Sequence, residues 1–62
     1  MNTRVKELRE AKGWSKQELA KRSGLGLATI QRLENGNRGT IYLTTLRELS
    51  KALGVGVSAI IV

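Results

Sequence analysis

Two helical stripes with only three residues between them constrain this chain more than any other feature. Ser15 stands three residues before Glu18. That is a capping box, in which the serine hydroxyl takes an N–H of the first helical turn. The spacing predicts a helix from Lys16, with Leu19 and Ala20 inward, ending at Gly24. Leu27, Ile30 and Leu33 form a second stripe, so another helix must begin at once, and Asn35-Gly36 ends it.

The rest of the chain is punctuated in the same way. Proline is absent, and glycine and the cap residues supply the breaks. Thr3 to Lys12 is rich in helix formers, with Val5, Leu8 and Ala11 recurring every third residue and Gly13 closing the segment. A polar stretch, Asn37 to Thr40, separates the central pair from a fourth helix marked by Leu43, Leu46, Leu49, Ala52 and Leu53 and stopped by Gly54. Val55 to Val62 is almost wholly apolar. It is expected to form a short fifth helix from near Val57 or, given its β-branched residues, a strand. No repeat, linker or low-complexity segment interrupts the 62 residues, which read as one domain.

Composition removes several function classes. There is no cysteine and no histidine, and all five acids are glutamates. The usual general base, the commonest metal ligand and the Ser-His or Cys-His nucleophile pairs are therefore missing. No enzyme, cofactor or metal centre is expected. No apolar run approaches the roughly 20 residues that span a bilayer, and the polar N-terminus is not read as a secretory leader. Eleven Lys and Arg against five Glu give a net charge of +6. A basic, cytoplasmic binding module without membrane contact is the class that remains.

Two short helices joined by a glycine-bearing turn form a helix-turn-helix, here over about residues 16–35. Ala20 falls where such helices cross closely, and Gly24 where the turn needs a positive φ. The segments Leu8-Arg9-Glu10-Ala11-Lys12-Gly13-Trp14-Ser15-Lys16-Gln17-Glu18-Leu19-Ala20 and Ala28-Thr29-Ile30-Gln31-Arg32-Leu33-Glu34-Asn35-Gly36, followed by Thr45-Leu46 and Ala52-Leu53-Gly54-Val55, resemble the Cro and lambda-repressor type of helix-turn-helix domain. The resemblance covers essentially the whole chain. It implies an all-α, compact four- to five-helix domain with the helix-turn-helix at helices two and three. It also implies a transcriptional regulator, of repressor type, that binds a palindromic operator in double-stranded DNA as a homodimer.

On that resemblance, Lys16 and Gln17 open the second helix where backbone N–H groups favour a phosphate. Asn35, Asn37 and Arg38 follow the recognition helix where the chain passes the sugar-phosphate backbone. Lys16 stands where the family usually has Gln. The recognition helix opens with the apolar Leu25-Gly26-Leu27-Ala28, which leaves thymine-methyl contacts to Leu27 and Ala28 and polar reading to Thr29, Gln31 and Arg32. Arg9 and Glu34 occupy the positions of an ion pair that ties the first helix to the end of the recognition helix. Trp14 is read as a core aromatic between the first two helices, and Tyr42 as either core-edge packing or a phosphate contact. The apolar tail, residues 55–62, is expected to be the dimer contact, through Val55, Val57, Ile60 and Ile61. The other readings are an antitoxin-type protein that binds a toxin or effector partner as well as its own operator, and a scaffold without DNA affinity.

Overall fold

The computed structural model of the protein describes residues 3–36 and 41–61. Five helices follow in order: α1 (Val5–Ala11), α2 (Lys16–Ser23), α3 (Leu27–Glu34), α4 (Leu43–Leu53) and α5 (Val57–Ile60). Each supplies the core. Val5 comes from α1, Leu19 from α2, Ile30 and Leu33 from α3, Leu46, Leu49 and Leu53 from α4, and Ile60 from α5. α2 packs on α3 and α4, α1 packs on the same two helices, and α5 closes against α4. Among the described residues, no helix is long and apolar enough to cross a membrane.

The helix limits follow from local chemistry. The Ser15 hydroxyl accepts the Glu18 N–H at 3.0 Å and starts α2 at Lys16, as the capping box requires. Gly24 ends α2 with φ 75° and donates its N–H to the Ala20 carbonyl at 2.9 Å. A side chain would strain that left-handed backbone, so the short turn depends on glycine there.

Three details differ from the sequence reading. First, the buried face of α1 is Val5, Leu8 and Arg9, while Ala11 is exposed. At about 100° per residue, a strict every-third spacing drifts off the face, and the i, i+3, i+4 set stays on it. Second, Leu43 is 57% exposed. Leu46, Leu49 and Leu53 cluster within about 60° of the α4 circumference, and Leu43 lies about 60° outside them on the first turn. Third, Thr3 is not helical. It forms an antiparallel bridge with Ile61, and the Arg4 N–H donates to the Ile60 carbonyl at 2.7 Å.

The tail therefore combines both expected conformations: one helical turn, then an extended Ile61 paired to the start of the chain. Ile60 is wholly buried in the core of its own chain, so its side chain is not on the surface and cannot be a dimer contact, contrary to expectation. Val55, Val57 and Ile61 pack on the core but stay half-exposed.

Ala20 is half-buried on α2 and packs against the core. Ala20→Leu should cost about 1–3 kcal/mol through overpacking, and the melting temperature should fall by several degrees. Unchanged melting of that variant would show that α2 leaves room at this position.

Candidate nucleic-acid interface

The central feature is the outward side of α3. Its N-cap, Gly26, has no side chain with which to cap the first turn, and the helix holds Ile30 and Leu33 in the core. That orientation fixes the opposite side. Ala28, Gln31, Arg32 and Asn35 are all exposed. At about 100° per residue they share an arc of about 100°, the i, i+3, i+4, i+7 pattern of one helical face. Leu27 and Thr29 are half-buried and flank that arc on its two sides. Of the five residues expected to meet bases, Ala28, Gln31 and Arg32 thus share the open face, and Leu27 and Thr29 form its edges.

The start of α2 supplies the next group. Gln17 is exposed and Lys16 half-buried, and both stand in the first turn, where backbone N–H groups lack partners within the helix. Asn35 is the C-cap of α3 and is exposed. Asn37 and Arg38, also expected at phosphates, lie outside the described residues.

Charge in this segment is one-sided because its two acids are both paired. Glu18 accepts from Arg22 Nε at 2.6 Å on the exposed surface of α2. Glu34 is gripped by Arg9, whose Nε and Nη2 donate to its two carboxylate oxygens at 2.8 and 3.0 Å. The two side chains are only 10% and 2% exposed. This is the pair the resemblance implies, with a third contact added: Arg9 Nη1 donates to the Trp14 carbonyl at 2.7 Å. One guanidinium thus joins α1, the α1–α2 turn and the last turn of α3. The hydrogen bonding that Arg9 donates to the Glu34 carboxylate raises the Arg9 pKa above its already high ordinary value, so the guanidinium stays charged despite burial. With both acids neutralised, Lys16, Lys21 and Arg32 set the sign of the α2–α3 surface.

Trp14 packs against the core as a partly buried aromatic, as read from the sequence. Arg22 lies 4.4 Å and Lys12 5.3 Å from its ring centroid, so two cations cover the ring. Tyr42 is 65% exposed at the N-cap of α4, which rules out a core role for the ring.

Sequence reasoning missed the hydroxyls that tie the turns. Ser23 is buried; its hydroxyl donates to the Ala20 carbonyl at 3.3 Å and accepts the Leu25 N–H at the same distance. It fixes the exit from α2 toward α3. A serine directly before a helix-ending glycine carries that signal, because Ser readily bonds to nearby backbone in turns. The Ser50 hydroxyl donates to the Val55 carbonyl in the α4–α5 turn. The Thr3 hydroxyl donates to the Leu33 carbonyl at 3.3 Å, at the end of α3.

A short α2, a three-residue turn and an α3 whose far side is open define a helix-turn-helix domain. The helix-turn-helix family model matches residues 5–60, and the chain belongs to that family, in its Cro and lambda-repressor type. The chain is 41% identical over 51 residues to the uncharacterized HTH-type transcriptional regulator RghRB of Bacillus subtilis (strain 168). That match takes in 82% of this chain and 37% of RghRB, so the chain spans little more than a third of that relative's length. Among solved structures, SinR of Bacillus subtilis, the master regulator for biofilm formation, in complex with DNA superposes with a TM-score of 0.82 at 29% identity, covering 89% of this chain and 87% of the other. The restriction-modification controller protein C.AhdI from Aeromonas hydrophila gives 0.82 at 36% identity, covering 90% and 83%.

Proposed function

We propose that this chain is the DNA-binding domain of a transcriptional regulator, of repressor type, that works in the cytoplasm as a homodimer on palindromic double-stranded DNA. The observation that carries the reading is the open arc of α3, with Gln31, Arg32 and Asn35 exposed and the helix's acid, Glu34, withdrawn into an ion pair. In helix-turn-helix docking the second helix lies in the major groove with its N-terminal residues at base edges, and the first crosses the backbone. Placed so, Ala28, Gln31 and Arg32 meet bases, with Leu27 and Thr29 at the walls of the contact. Lys16, Gln17 and Asn35 meet phosphates, and Asn37 and Arg38 are further phosphate contacts in this proposal. A structural neighbour solved in complex with DNA supports the DNA-binding reading. Val55, Val57 and Ile61 are the half-exposed tail residues from which a two-fold contact would be built. The alternative of a toxin-binding role draws no specific support from the family match or these relatives.

Binding governed by phosphate contacts must weaken with salt. For a dimer, the slope of log K against log salt is expected at about −4 to −8, from roughly −0.9 per neutralised phosphate. Lys16→Ala should weaken all duplexes alike and make the slope shallower. Fluorescence anisotropy on a labelled duplex over a salt series measures both. A slope near zero would remove DNA from the proposal.

A further inference from the structure

We infer that α3 reads a half-site made of a thymine methyl and purine edges on about three successive base pairs, with no carboxylate reading of cytosine. The inference rests on the DNA binding proposed above and names what the same face recognises.

In the major groove thymine offers a methyl group, adenine and guanine offer acceptors that suit Gln and Arg, and cytosine offers an amino donor whose usual partner is Glu or Asp. α3 contains one acid, Glu34. Both of its carboxylate oxygens accept from Arg9, and its side chain is 2% exposed. The fold has therefore removed the helix's carboxylate from the groove side. The exposed arc keeps a methyl at Ala28, amides at Gln31 and Asn35, and a guanidinium at Arg32.

Ala28 is the second residue of α3, among the N-terminal positions that face bases in this docking mode. Its side chain offers only a methyl, which matches the thymine methyl. Gln31 matches adenine and Arg32 matches guanine, each through two hydrogen bonds. From Ala28 to Arg32 the helix rises about 6 Å, close to two base-pair steps of about 3.4 Å. The directly read element is then a T·A pair with an adenine or guanine within about two steps of it.

The test begins with selection of bound sites from random duplex DNA by the unaltered protein. Each thymine of the selected half-site is then replaced in turn by uracil, which lacks only the methyl. One position should lose affinity about fourfold, the worth of one buried methyl-sized group. Ala28→Gly should bind both versions of that site equally. Arg32→Ala should lose about 5- to 150-fold on the selected site, together with its guanine preference. The uracil measurement uses the unaltered protein and does not depend on how well either variant folds. If uracil is neutral at every thymine while the selected site still binds tightly, the inference is wrong and DNA binding stands. If no duplex can be selected or bound, both fall together.

Discussion

Arg9→Met should destabilise the domain by about 3–5 kcal/mol, because it leaves a buried carboxylate without its partner. Glu34 would be left at 2% exposure with both of its hydrogen bonds from Arg9 gone, and the Trp14 carbonyl would lose its donor as well. At typical per-residue values a chain of this length has only about 3–9 kcal/mol in all. The melting temperature should fall by more than about 10 °C, and the variant should be partly unfolded at 37 °C. Glu34→Gln should cost less, since Arg9 retains the Trp14 carbonyl and the amide can still accept a hydrogen bond. Replacing both partners, Arg9→Met with Glu34→Leu, should recover most of the loss, because no charge is then stranded. Recovery should stop short of the parent by about 1–3 kcal/mol, the cost of the orphaned carbonyl. Thermal melts of the three variants check this order. An Arg9→Met protein that melts like the parent would show that the pair holds nothing together.

Deleting residues 57–62 should leave the chain largely unfolded. The truncation removes Ile60, which has no exposed surface, and the carbonyl that accepts the Arg4 N–H. Losing a buried Ile side chain alone costs about 2–5 kcal/mol. The Thr3–Ile61 bridge goes with it. Circular dichroism should show most of the helical signal gone. A folded monomer after truncation would mean that the core closes without α5. Self-association is better probed with Val57→Lys, because Val57 is half-exposed and its replacement leaves Ile60 in place. In sedimentation, that variant should remain helical and run as a monomer under conditions where the parent is a dimer.

The middle of the fold was legible because its signals are local. Ser15 with Glu18, Gly24, and the Leu27–Ile30–Leu33 stripe each act within one helical turn, and together they fix α2, the turn and α3. The open face of α3 follows from the same stripe, since what opposes Ile30 and Leu33 must face outward. The ends of the fold were harder to read because their partners are distant in sequence. Thr3 looks like a helix start until Ile61 is brought beside it, 58 residues on. Arg9 takes a place on the buried face of α1 that apolar periodicity assigns to Ala11, and only contact with Glu34 and the Trp14 carbonyl makes a buried guanidinium tolerable. The apolar tail read as exposed because the depth of the core could not be judged from composition. Ile60 fills that core, and its neighbours stay half-exposed.

The outward arc of α3, flanked by the start of α2, is the surface proposed to meet duplex DNA. Backbone amide chemical shifts of the labelled protein, followed as a duplex long enough for two half-sites is added at low salt, test it most directly. The largest changes are expected at Lys16, Gln17, Ala28, Gln31, Arg32 and Asn35. The exposed residues Lys6, Glu10 and Lys51, on α1 and α4, should move little. Changes centred on α1 and α4, with Ala28, Gln31 and Arg32 unmoved at saturating duplex, would contradict it.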